Sequence, residues 1–124
     1  MNPEAKSLWL TELRDPNQEK IRGRLRELKD GKKCHCAMGL LVLAYEKQHN
    51  VDLLKQLNFF DSVAERKVQN WAGLKCSIAI GPLIRMGDRT SDVAWFNDET
   101  IEVKGEYKDK YTLAEIADAI EVQL

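Results

Sequence analysis

Cys36-Ala37-Met38-Gly39-Leu40-Leu41-Val42-Leu43-Ala44-Tyr45-Glu46-Lys47 is the stretch that decides the fold. From Ala37 to Tyr45 it is apolar on almost every side, and a helix apolar all round must be covered by neighbours all round. The pattern predicts a central helix over 36–47. The run is broken only by Gly39. Its presence inside the run predicts a close approach by another backbone or by a ring. The run is far short of the ~20 residues that cross a bilayer.

Outward from this axis, three further helices are predicted. Asn2 is placed to cap and Pro3 to occupy the first helical position, after which Ala5, Leu8, Trp9 and Leu13 share one stripe. That helix spans about 3–14, because Asp15-Pro16 pushes the chain out of the α region. Ser62-Val63-Ala64-Glu65 and Thr112-Leu113-Ala114-Glu115 both fit a capping box, in which hydroxyl and carboxylate satisfy early N–H groups reciprocally. They predict helices over 63–72, with Gly73 as a left-handed stop, and over 113–123, with Leu113, Ile116, Ala117, Ile120 and Leu124 on one stripe.

The remaining segments carry weaker patterns. Ile21, Leu25 and Leu28 have helical spacing between Gln18 and Lys33, which favours a helix there. Asp30-Gly31 leaves a second option, a hairpin joining Arg24–Lys29 to Lys32–Cys36. Val51–Phe60 is predicted to be a short helix or packed loop, and Cys76–Ile80 a short strand closed by Gly81-Pro82. Met86–Ser91 is loop-like, with extended pieces at Val93, Trp95, Ile101 and Val103 around an Asn97-Asp98 turn. No repeat or Pro/Gly/Ser linker divides residues 1–124. The expectation is a single compact, mainly α domain around the central helix, with at most a small β-hairpin.

Nineteen basic and 20 acidic side chains give a formal charge of −1. That balance disfavours a dedicated nucleic-acid binder. The charges are unevenly placed: residues 1–96 hold 16 basic and 12 acidic groups, and residues 97–124 hold 3 and 8. Such polarity either pairs the C-terminal segment with the rest of the fold or leaves room for a homodimer. The window 19–33 is the most basic, at +4 (Lys20, Arg22, Arg24, Arg26, Lys29, Lys32 and Lys33 against Glu19, Glu27 and Asp30). If extended, it would project Arg22, Arg24 and Arg26 on one side. The bland reading is a solvated face partly paired with the acidic C-terminus.

Met1-Asn2-Pro3-Glu4-Ala5-Lys6 lacks the basic start and apolar stretch of an export signal. With three cysteines, an odd number, the chain suits a cytoplasm that keeps thiols reduced, with no membrane association. Cys34-His35-Cys36 raises a metal or thiol reading, with His49 or Cys76 as further ligands. Its spacing does not fit a zinc knuckle, however, and buried structural thiols are favoured. Trp9, Trp71 and Trp95 could stack bases, but each sits at core-like spacing.

Several landmarks coincide in order: His35-Cys36-Ala37-Met38-Gly39-Leu40-Leu41, Trp71-Ala72-Gly73-Leu74, Trp95-Phe96-Asn97-Asp98, and Thr112 through Glu121. Their succession resembles a family of small uncharacterised phage and prophage proteins. That family carries Cys-Cys-Leu-Gly-Val-Leu, Trp-Ala-Gly-Leu, Leu-Asn-Asp and a terminal Ile-Ala-x-x-Ile-Glu helix. His35 stands where the first family cysteine would be, Met38 replaces leucine, and residues 99–111 lengthen the connection after Asp98. A paired-cysteine chemistry therefore does not carry over. The resemblance implies a viral or mobile-element origin rather than a reaction.

The functional expectation is a non-enzymatic, phage-type accessory protein that engages a host protein or small signalling ligand, counter-defence being one such role. The contact residues would be Arg22, Arg24, Arg26, Lys32, Lys33, His35, Asn97 and Asp98. No cofactor and no metal is expected. The alternatives are a thiol- or metal-dependent enzyme centred on Cys34, His35 and Cys36, and a weak nucleic-acid-binding module.

Overall fold

Ala37–His49 does form the central helix, α2, in a computed structural model that describes residues 1–53, 66–74 and 81–124. Ala37 to Val42, Ala44 and Glu46 are buried in it, while Leu43 and Tyr45 are half-buried. Asn50 ends it in the left-handed conformation, at φ 53°. Gly39 has the predicted role. An ideal Cβ there would lie 1.8 Å from the carbonyl oxygen of Leu25, so a second backbone runs directly against the helix.

α1 (Pro3–Leu13) is capped by Asn2, whose side chain accepts from the amides of Glu4 and Ala5. It lays Ala5, Trp9 and Leu13 on α2. Trp9 Nε1 donates to the carbonyl of Ala37 at 2.8 Å, satisfying the one polar atom of a fully buried ring. α5 (Leu113–Gln123) opens on the predicted capping box of Thr112 and Glu115, and buries Leu113, Ile116, Ala117 and Ile120. Its acidic end is tied to α1: Arg14 reaches Asp118 at 3.0 Å and Glu121 at 2.7 Å, and Lys6 Nζ donates to the Glu121 carbonyl. The C-terminal charge excess is thus partly neutralised within the chain.

Among the described residues, five helices are joined by three two-stranded antiparallel hairpins, so the domain is α+β rather than mainly α. The favoured helix over 18–33 does not form; the hairpin option does. β1 (Arg26–Lys29) pairs with β2 (Lys32–His35) in the register Arg26 with His35 and Lys29 with Lys32. Asp30 and Gly31 take φ 50° and 78° between them. Positive φ at both central residues defines the type I′ turn, whose twist matches that of the strands, and this local geometry outweighs the apolar spacing.

The loop expected over Met86–Ser91 is instead the second hairpin, β3 (Leu83–Met86) with β4 (Arg89–Asp92), turned by Gly87-Asp88. Val93 and Trp95 are not extended. Asp92 accepts from the amide of Trp95 and caps a short helix, α4 (Val93–Asp98). Asn97-Asp98 therefore closes a helix rather than forming a free turn. The acidic stretch that follows folds as β5 (Thr100–Val103) and β6 (Glu106–Asp109) around Lys104-Gly105.

α3 covers Arg66–Trp71, inside the predicted 63–72 helix, and Gly73 follows with φ 69°. The capping box at Ser62–Glu65, most of Val51–Phe60 and the expected strand at Cys76–Ile80 lie outside the described residues. No described helix is long and apolar enough to cross a membrane.

Candidate functional site

Two of the predicted contact residues, Asn97 and Asp98, meet at the N-terminus of α2. Cys36 is its N-cap, with Sγ accepting from the amide of Gly39 at 3.3 Å. Asn97 is fully buried. Its Oδ1 accepts from the amide of Ala37 at 2.8 Å, and its Nδ2 donates to the carbonyl of Ile21 at 2.8 Å and to Asp98 Oδ1 at 2.9 Å. Asp98 Oδ1 also accepts from the amide of Gly23 at 3.0 Å. Asn97 and Asp98 thus clamp the 21–23 segment to the start of α2. All four of the amide's hydrogen-bonding directions cannot be counted as free for a ligand when three are committed to the chain.

Arg26 and His35 form a second, buried cluster. Arg26 is 2% exposed, not projected outward. Its Nε donates to His35 Nε2 at 2.8 Å, its Nη2 forms an ion pair with Glu46, and its Nη1 lies 3.7 Å from Asp52. Glu46 Oε2 in turn accepts from the amide of Leu53 at 2.9 Å. One guanidinium therefore ties β1, β2, α2 and the segment after α2. Because Arg26 only donates, His35 Nε2 must present a lone pair, which leaves the ring proton on Nδ1. That Nδ1 is buried with no hydrogen-bond partner among the described residues. Burial, with the nearby charges of Arg26, Lys33 and Lys47, pushes the imidazole down to about 3.

The other basic residues do not make one row. Gly23, at φ 74°, bends the chain before β1 begins at Arg26, so the strand alternation never includes Arg22 and Arg24. Arg22 Nε is 3.4 Å from Asp109, and Arg24 is 3.5 Å from Glu27. Lys20, its side chain 8% exposed, donates to the Tyr111 carbonyl and lies 3.4 Å from Asp109. What remains outward is the tip of the first hairpin: Lys29, Lys32 and Lys33 are exposed, beside Leu28 at 51% exposure. Lys29 stands directly opposite Lys32, and Leu28 opposite Lys33.

Cys34 and Cys36 are buried free thiols. Burial raises both, Cys36 to about 12, so neither holds a thiolate at neutral pH. In an extended run Cys34 and Cys36 face away from His35, whose Nε2 is already occupied by Arg26. Among the described residues there is no group of three or more His, Cys, Asp or Glu side chains placed to hold a metal ion.

A family model described as Domain of unknown function (DUF8296) matches residues 1–124. The chain belongs to that family. No curated protein and no solved structure matches it. The DUF8296 core is therefore understood from its own contacts, and two of these had no expected counterpart. Glu46 follows the apolar run in sequence, yet it falls four residues after Val42 on the buried face of α2. A carboxylate at a core position requires a cationic partner, and that spacing was the available signal. Buried Glu12, held by Lys47 at 2.6 Å and Gln18 at 2.8 Å, is the parallel case on α1.

Proposed function

We propose that the protein is a non-enzymatic binding module whose β1–β2 hairpin tip docks an acidic protein surface. The observation that carries this reading is the pairing of Lys29 opposite Lys32, with Lys33 and exposed Leu28 in the next register position. Like charges directly opposite each other in a hairpin are destabilising. Lys29 has Glu19 and Glu27 at 4.0 Å, whereas Lys32 and Lys33 have no acidic partner within 4.0 Å among the described residues. Leu28 and Lys33 share one face of the hairpin and Lys29 and Lys32 the other, so the tip offers an exposed leucine beside one lysine with a lysine pair behind it, a small apolar contact in cationic surroundings. The protonated thiols and the committed His35 favour binding over thiol or metal chemistry.

The resemblance to phage and prophage proteins extends the proposal: the partner is a host protein in the cytoplasm, and counter-defence is the setting in which such binding would serve. The test is capture from host lysate with wild type and with a Lys32→Glu/Lys33→Glu double variant, read by mass spectrometry. An acidic partner retained by wild type, lost with the double variant and weakened by salt supports the reading. Equal retention by both refutes the assigned surface, and retention of nucleic acid in place of protein favours the nucleic-acid alternative.

A further inference from the structure

We propose that Arg26, His35 and Glu46 form an acid-released latch that holds the β1–β2 hairpin against α2 and, when it opens, uncovers the thiols of Cys34 and Cys36. The geometry is specific. In the closed form His35 Nε2 must accept from Arg26 Nε–H at 2.8 Å, and both side chains are 2% exposed. A proton cannot be added to Nε2 while that contact stands, because two donors would then face each other. Nor is there relief at the other ring nitrogen, which already carries the proton and has no acceptor among the described residues.

The surroundings reinforce this exclusion. From the hairpin, Arg26 and Lys33 bear on the imidazole; from α2, Lys47 does so as well. The acids nearby are spent elsewhere, since Glu46 and Asp52 face the Arg26 guanidinium; Lys20, the cation of the adjoining segment, is turned to Asp109. Glu19 contributes its backbone carbonyl to the His35 amide. The closed form thus refuses a proton that an open, solvated His35 takes up at its ordinary value near 6.5. By linkage, acid draws the equilibrium toward the open form. The residues flanking His35 are the buried cysteines, so opening of this hairpin exposes thiols as its direct consequence.

The experiment is native-state thiol labelling of the full chain carrying Cys76→Ser, using an aryl disulfide reagent. Rates are normalised to a short Cys-His-Cys peptide at each pH and measured from pH 7 to about 4.5 at several low urea concentrations. The latch predicts that the opening equilibrium grows about tenfold for each pH unit below 6.5, with a urea dependence much smaller than that of global unfolding. It predicts no such growth for His35→Gln between pH 6.5 and 5, since an amide oxygen accepts from Arg26 without titrating. Three results overturn it: a flat wild-type profile, the same profile in His35→Gln, or a urea dependence equal to that of global unfolding. Should His35→Gln fail to fold, nitrogen NMR of His35 in the wild type decides. A neutral ring protonated at Nδ1 at pH 5.5 supports the latch, and a charged ring or the other tautomer overturns it.

Discussion

Replacing Gly39 by alanine tests the packing on which everything else rests. Alanine is the better helix former by ~1 kcal/mol, so on local grounds Gly39→Ala should stabilise α2. The structure reverses the sign. The new methyl carbon would lie 1.8 Å from the oxygen, 2.8 Å from the carbonyl carbon and 3.2 Å from the Cα of Leu25, all backbone atoms that cannot swing aside. Restoring an ordinary contact of about 3.4 Å requires the backbone at Leu25 to retreat by roughly 1.5 Å. The Cys36 amide now donates to that same Leu25 oxygen at 3.2 Å, so the retreat breaks this bond and lifts Leu25 from the core. Overpacking costs about 1–3 kcal/mol and a buried unpaired donor about 1–3 kcal/mol. After the helix gain is subtracted, the net loss is about 3 kcal/mol, which corresponds to a melting temperature lower by roughly 10 °C for a chain of this size. Urea unfolding followed by tryptophan fluorescence measures it. A variant as stable as wild type, with an unchanged urea slope, would refute the close approach and with it the docking of the hairpin on α2.

Other expectations follow from the two buried clusters. Arg26→Met alone should cost about 3–5 kcal/mol, because Glu46 is left buried and uncompensated, while Arg26→Met/Glu46→Leu should recover most of that loss; a double variant no more stable than the single one would show that the cost is not the stranded charge. Asn97→Ala should cost about 2–4 kcal/mol by stranding the Ala37 amide and the Ile21 carbonyl, whereas Asn97→Asp should keep the first contact and lose the second, giving an intermediate melting temperature. Global stability should fall as pH drops below 6.5 toward about 3, by about 1.4 kcal/mol per unit from His35, since over that window the unfolded chain binds a proton that the folded chain excludes. Chemical denaturation at pH 7 and pH 5.5, above the range where most carboxylates titrate, checks it: wild type should lose stability over that interval, and His35→Gln should not.

Local signals in this chain are strong where one residue's chemistry fixes one backbone feature. Asn2-Pro3 and Thr112–Glu115 opened helices where they were expected to, because a cap satisfies its own neighbours' amides whatever lies beyond. The apolar run at 37–45 made the expected buried helix, and Gly39 within it marked a close approach, although only the fold brings the Leu25 backbone there. Asp30-Gly31 marked its turn as well, although Ile21, Leu25 and Leu28 pointed to a helix. Ile21 and Leu25 are buried beside α2 in an irregular and extended run that helical periodicity cannot represent, and Leu28 is left exposed.

Which charges would be available was not legible. Arg22, Arg24 and Arg26 are alike in sequence, yet one meets Asp109, one meets Glu27 and one is buried with His35 and Glu46. Asn97 likewise looks like a turn residue and proves to be a buried clamp reaching segments far away in the chain. The amino-acid sequence by itself determined the helical axis, its caps and its turns, since these are settled within a few residues. Only the tertiary structure decided which polar groups are spent inside and which are left at the hairpin tip. The fate of a charge depends on whether a distant chain brings it a partner before water does.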